Sequence, residues 1–288
     1  MPTCTTQSRP TLGWSNDKGT SKSAHPSYLS VAGRLRFARL VFALWIVGTI
    51  SLRGGEPART PAQPLRWITT IQTGLGDTFQ LTLGGTFGAG PAWQNRVETG
   101  AVLPGGDSFY AYGADSMDLR SGKDNWQGGF GYRRPLLKAG RHALNGTLGL
   151  QHWRFPAVKT GTKDWLTYEN LSYQTRLANM PIILTADSWS LLASRFTRGT
   201  LLHSHLWLER PIFAREPWRL AVRIGPAHTY SWDFWGTHGH RIVRYQSMAI
   251  FSWGQTRVEV MLRKQRGLQP GIPPNTYWQF AWVRTLVH

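Results

Sequence analysis

Trp218-Arg219-Leu220-Ala221-Val222-Arg223-Ile224-Gly225, followed four residues later by Tyr230-Ser231-Trp232-Asp233-Phe234, is the stretch that decides the fold. Read two residues at a time, Trp218, Leu220, Val222 and Ile224 alternate with Arg219, Ala221, Arg223 and Gly225. Tyr230, Trp232 and Phe234 extend the apolar register opposite Thr229, Ser231 and Asp233. A period of two places the two sets on opposite faces of a β-strand. One face is aliphatic with an aromatic end, and the other carries arginine. That is the pattern of a strand with lipid on one side and a polar lumen on the other.

Composition agrees with this reading. The chain has 288 residues with 15 Trp, 9 Tyr and 12 Phe, and Trp and Tyr favour membrane–water interfaces. Mean hydropathy is −0.32, which excludes a helical membrane protein but not a barrel, whose strands expose only alternate residues to lipid. The 31 Gly fit a chain with many turns. The formal charge is +18, of which residues 1–53 supply +6 (seven Lys/Arg against Asp17) and the remainder +12. Such an excess attracts polyanions and acidic solutes. The single cysteine, Cys4, allows no internal disulfide and no cysteine metal site. No phosphate-cradling loop or nucleic-acid motif occurs, so neither a cofactor nor a nucleic-acid partner is expected. The glycine-rich Gly84–Gly90 precedes no helix pattern and reads as a loop or softened strand end.

At the amino end, Arg34, Arg36 and Arg39 precede the apolar run Leu40–Ile50. Its length matches an export signal and falls short of the roughly 20 residues a membrane-spanning helix requires. Residues 34–53 are therefore read as a signal peptide. Residues 1–33 are rich in Ser, Thr, Gly and Pro and read as a disordered extension or a start assigned too far upstream. Residues 54–64 form a Pro-rich lead-in, and 65–288 the folded domain.

From residue 65 strand follows strand. The clearest are 141–153, 165–177, 199–212, 217–234, 241–253, 256–267 and 276–288, with further strands near 124–135, 107–118, 91–103 and 77–87. Connections at 138–140, 178–179, 214–216 and 254–255 are tight, whereas 154–164, 194–198, 235–240 and 268–275 are longer. Short turns on one side and longer loops on the other characterise outer-membrane barrels, with the short turns periplasmic. The expectation is an all-β antiparallel barrel of about 12 strands, with 10 and 14 as alternatives. Leu65–Thr73 would be a thirteenth strand, and an odd count would put the amino end outside the cell. Either 65–73 lies within or near the mouth of the barrel, or one strand has been split in two.

On these strands and turns the chain resembles the porin-like outer-membrane β-barrel proteins of Gram-negative bacteria. The resemblance rests on pattern over residues 65–288. It implies an outer-membrane location, contact with lipid and lipopolysaccharide, and insertion by the outer-membrane assembly machinery. Members often end on a terminal Phe or Trp. Here Trp278, Phe280, Trp282 and Leu286 keep the alternation, but Arg284 interrupts it and His288 replaces the aromatic end.

If the apolar faces meet lipid, Arg176, Arg219, Arg223, Arg244, Arg257 and Arg263 line the lumen, with Glu209 and Glu259 as the main acids. Arginines in a water-filled barrel favour anions. The first expectation is a narrow channel for small or acidic solutes, acidic oligosaccharides being a substrate class that the resemblance implies. The alternative is that Arg, Glu and Gln cross-link and plug a small barrel, leaving a structural, lipopolysaccharide-binding or partner-binding role. His203 and His205 share a face with Glu209, a weak metal pattern. Ser204 points to the opposite face and cannot couple to either histidine within its strand, so a lipid-hydrolysing barrel would need a base from a neighbouring strand.

Overall fold

The structure, a computed structural model, describes residues 65–77, 91–122, 124–155, 162–178, 180–194, 199–269, 272 and 274–288. The expected extension, signal peptide and lead-in (1–33, 34–53 and 54–64) lie outside these residues. Twelve strands form one closed barrel in sequence order, each antiparallel to both neighbours. They are β1 Arg66–Gly76, β2 Ala92–Val102, β3 Ser108–Asp118, β4 Asp124–Ala139, β5 His142–Phe155 and β6 Thr162–Leu177. The second half comprises β7 Met180–Ala193, β8 Thr200–Arg215, β9 Trp218–Phe234, β10 Thr237–Trp253, β11 Thr256–Gly267 and β12 Asn275–Val287.

The parity problem resolves through β1 and β7: the expected ranges number eleven and omit Met180–Ala193, which, with 65–73 counted in place of 77–87, gives the twelve. Residues 65–73 are neither inside the barrel nor half of a split strand. Thr73 pairs with Trp282 of β12 on one side and with Asn95 of β2 on the other, so β1 closes the cylinder. The expected strand at 77–87 falls almost wholly on residues 78–90, outside the described set. Closure leaves no unpaired edge, which a sheet facing lipid requires.

The connections sort into two ends. Leu103–Asp107, Gly140–Arg141, residues 178–179, Glu216–Pro217 and Gly254–Gln255 lie at one, here called the turn end, together with the outset of β1 and the close of β12. The other, the loop end, takes the close of β1 and the outset of β2. One expected loop is corrected. Segment 235–240 is a two-residue turn, Trp235-Gly236, and His238 and His240 belong to β10. Positive φ at Asp233 (52°), Trp235 (52°) and Gly236 (71°) lets the chain reverse there.

The same turn changes one face assignment. Tyr230 and Trp232 stay outside, but the left-handed Asp233 rotates Phe234 inward, where it is fully buried instead of continuing the apolar outer face.

The outer surface carries Val97, Phe130, Leu184, Ile224, Val260 and Phe280, all exposed. At the loop end Trp93, Trp126 and Trp165 stand on β2, β4 and β6, and at the turn end Trp67, Phe109 and Trp218 open β1, β3 and β9. Apolar surface on this scale costs about 25 cal/mol per Å² in water and nothing comparable in lipid. The paired aromatic levels match the two interfaces of a bilayer.

Candidate functional site: the barrel lumen

Alternation carries the charged candidates inward as the pattern requires. On β8 the inner face is Leu201, His203, His205, Trp207 and Glu209, and β9 contributes Arg219, Ala221 and Arg223. β10 and β11 contribute Arg244, Gln246, Arg257, Glu259 and Arg263. Their neighbours are what the sequence left open. Glu209 is buried and receives Arg219 Nη2 and, at 2.6 Å, Arg223 Nε. Arg257 Nε donates to Glu259 Oε1 at 2.6 Å. Arg244 is buried and donates through Nε to Gln265 Oε1 at 3.2 Å. Arg263 Nε approaches Met261 Sδ at 2.9 Å, with its guanidinium 5.9 Å from the Tyr277 ring centre. Arg176 stands apart, exposed at the β6–β7 turn opposite Pro181. The structure thus brings Glu209, Arg219 and Arg223 together and leaves Arg176 out.

The histidines do not converge on a metal. The His203 and His205 rings stand edge to face with centres 4.1 Å apart. His203 Nδ1 donates to the His228 carbonyl at 3.1 Å and reaches Thr229 Oγ1 at 2.8 Å, while His205 Nδ1 meets Gln246 Nε2 at 3.1 Å. Glu209 is held by its two arginines, and among the described residues no three His, Cys, Asp or Glu side chains could hold a metal together. Ser204 faces outward, opposite Ala186 and His228, and His228 Nε2 lies 2.9 Å from His240 Nδ1. Ser204 and His203 therefore stand on different sides of the wall.

Two lumen features escaped the sequence reading. The first closes the loop end. Trp153, Phe155, Leu166, Trp189, Leu201 and Phe234 form an apolar cluster, with Trp235 packed against it. Trp153 touches rings from three directions, with centres 5.4 Å from Phe155, 6.2 Å from Trp189 and 6.1 Å from Phe234. Trp235 Nε1 donates to Asp164 Oδ2 at 2.9 Å, which satisfies the one polar group the turn carries into this core.

The second lies beneath that plug. Tyr110 and Tyr112 of β3 face Gly131 and Gly129 of β4, and Gly131 pairs in turn with Gly149 of β5. A Cβ at Gly131 would lie 2.7 Å from Tyr110 Oη, so the glycines supply the flat wall on which the tyrosine rests. Arg133 lies over the Tyr110 ring at 3.9 Å and Arg96 over Tyr112 at 4.3 Å. Glu98 joins the two, accepting from Arg96 Nη2 at 2.7 Å and Arg133 Nη1 at 2.5 Å. Across the lumen Asp187 Oδ1 accepts from Tyr168 Oη and Asn170 Nδ2, each at 2.8 Å. The two arginines, Tyr110, Tyr112, Tyr168 and Asp187, with Gln127 and the two histidines, line a cavity of about 130 Å³. The spacing that singled out His203 and His205 also occurs at Arg96/Glu98 and Tyr110/Tyr112, and is the signal that was available.

No protein-family model matches the chain, and no curated protein matches it. The chain is similar at low identity to several solved outer-membrane structures. The outer membrane channel from Pseudomonas putida F1 has 11% identity over 81% of this chain and 100% of that one, with a TM-score of 0.45. LpxR from Salmonella typhimurium has 6% identity over 75% and 99%, with a TM-score of 0.46. The β domain of the Bordetella autotransporter BrkA has 14% identity over 76% and 98%, with a TM-score of 0.43. On its own geometry, the chain is a closed twelve-stranded antiparallel barrel, apolar outside and filled within by charged and polar groups beneath an aromatic plug, the architecture of Gram-negative outer-membrane proteins.

Proposed function

We propose that this protein is an outer-membrane barrel for small anionic solutes, entered from the turn end and closed at the loop end in the conformation described. The observation that carries the proposal is the uneven filling of the lumen. The loop end is packed with Trp153, Phe155, Leu166 and Phe234, none of them solvent-exposed. The turn-end half carries a smaller buried group, Met248, Ile250 and Met261, but keeps Arg133, Arg219, Arg223 and Arg257 partly solvated, with more guanidinium than carboxylate. With the tight turns periplasmic, the basic vestibule opens to the periplasm and the aromatic plug faces outward. Passage across the membrane then requires the plug to part.

The test is conductance of the purified protein in planar bilayers under a salt gradient. Wild type is expected to be silent or to open only briefly, and a Trp153→Ala, Phe234→Ala variant to show steps with an anion-selective reversal potential. Steady wild-type conductance would remove the plug from the account. Folded double variants that remain silent would make the lumen a permanent core and leave a structural or lipopolysaccharide-binding role.

A second reading, hydrolysis of lipid at the outer face, is favoured by one observation: the register sets Ser204 opposite His228, whose ring meets His240. Unchanged lipid release in a Ser204→Ala, His228→Ala variant would dispose of it.

A further inference from the structure

We infer that the cavity beneath the plug is a binding site for a small oxyanion that also carries a hydroxyl, such as hydrogen phosphate or a short hydroxycarboxylate. The inference rests on reading the lumen as a solute path and deepens it by naming the solute.

The size of the site sets the first limit. A cavity of about 130 Å³ has room for several waters, and so for a phosphate or a short organic acid.

Charge sets the second. Arg96 and Arg133 share one carboxylate, Glu98, and each guanidinium is fixed by the tyrosine it covers. Asp187, on the opposite wall, is committed to Tyr168 and Asn170. Behind the histidine wall, Arg244 is buried and makes no ion pair among the described residues, its Nε donating to Gln265. Three guanidiniums thus stand around the shared Glu98 and the committed Asp187, and an anion in the cavity supplies the charge they lack.

Hydrogen-bond inventory sets the third. His203 is 2% exposed, and its Nδ1 hydrogen is spent on the His228 carbonyl. In the neutral ring this leaves Nε2 as a lone-pair acceptor, and Nε2 has no partner among the described residues. Gln127, 4% exposed, lines the same cavity with its Nε2 donor likewise unpartnered. An oxyanion alone would answer Gln127 and the guanidiniums but present another lone pair to His203. A hydroxyl on the same molecule donates to Nε2 and completes the set. The site therefore favours hydrogen phosphate or glycolate over acetate.

The test is isothermal titration of the intact protein, extracted from outer membranes in a phosphate-free detergent, with inorganic phosphate, glycolate and acetate at matched pH and ionic strength. Phosphate and glycolate are expected to saturate, and acetate to bind about tenfold more weakly or worse. Arg96→Gln should weaken all three, with Arg96→Lys restoring part of the affinity. His203→Asn keeps a donor near the Nδ1 position and removes the Nε2 acceptor. It should bring phosphate and glycolate down to the acetate level while leaving acetate unchanged. Absence of saturable heat, equal isotherms for the three anions, or an undiminished preference in His203→Asn would overturn the assignment. Binding in micelles needs no conduction. Saturable binding with silent plug variants would sink the channel and keep the site, and conduction without binding would do the reverse.

Discussion

Replacing Glu209 by Gln should lower stability and raise anion preference together, because one carboxylate both ties two strands and offsets the charge of the lumen. Glu209 is 4% exposed and receives both Arg219 and Arg223. Gln keeps one acceptor oxygen and turns a donor towards guanidinium donors, so one bond is lost and the other keeps the charge of its donor only. Charge-assisted bonds contribute about 1.5–3 kcal/mol each, and breaking a fully buried pair costs about 3–5 kcal/mol. Here the arginines keep side-chain exposures of 52% and 31%, so vestibule water recovers much of that loss. The expected cost is about 1–2 kcal/mol, read from urea unfolding of the folded protein in lipid. The same substitution leaves one further positive charge facing the lumen. At about 8 Å from a solute and an effective dielectric constant of about 40, it favours an anion by about 1 kcal/mol, close to fivefold. Measured as the reversal potential in the Trp153→Ala, Phe234→Ala background, selectivity should shift towards anions, and the shift should shrink as salt shortens the screening length. Unchanged stability, or selectivity moving towards cations, would refute the placement of Glu209 between its two arginines.

Other outcomes follow from single contacts. Phe234→Ala empties part of the plug and should cost about 3–5 kcal/mol, the range for a large aromatic removed from a packed core, visible in the same unfolding assay. Gly131→Ala brings a methyl to 2.5 Å from the Leu148 carbonyl oxygen and 2.7 Å from Tyr110 Oη, so both the β4–β5 backbone and the ring must shift and Arg133 loses its platform; lower stability, a changed near-ultraviolet circular dichroism spectrum and weaker phosphate binding are expected. Ser204→Ala removes only an outward hydroxyl and should alter stability by less than about 0.5 kcal/mol, with any loss of lipid release assigned to chemistry and not to folding.

Much of the barrel can be read from alternation because a strand wall has only two faces and a closed sheet assigns them for the whole chain. Once Ile224 is outside, Arg223 is inside, and the register then fixes its opposite number on β8 as Glu209. The tight turns at residues 140, 178, 216 and 254 were legible for the same local reason. Where backbone geometry departs from the repeat, alternation misleads. Phe234 continues the pattern of Tyr230 and Trp232 but lies inside, because the φ of 52° at Asp233 turns the strand over one residue earlier. Asp is depleted in strands and enriched in the left-handed region, so Asp233, with Gly236 just beyond it, was the signal available in this run.

The plug and the cavity were hidden for a further reason: they depend on which inner faces meet across the lumen. Trp153 of β5 and Phe234 of β9 come from strands that are not neighbours in the sheet, so no pairing rule connects them. The same blindness inflates a count of arginines. Of the six that the alternation places inside, Arg219 and Arg223 are taken by Glu209 and Arg257 by Glu259. Charge free to meet a solute is set by these pairings and not by the number of guanidiniums. The cavity rimmed by Arg96 and Arg133 does not differ from the Glu209 pair in charge, since each sets two arginines on one carboxylate. It differs in its surroundings: both guanidiniums are held on tyrosine faces, and His203 presents an unpartnered ring nitrogen from the far wall. If the lumen passes a solute as proposed, these groups sort it by its hydrogen bonds as much as by its charge.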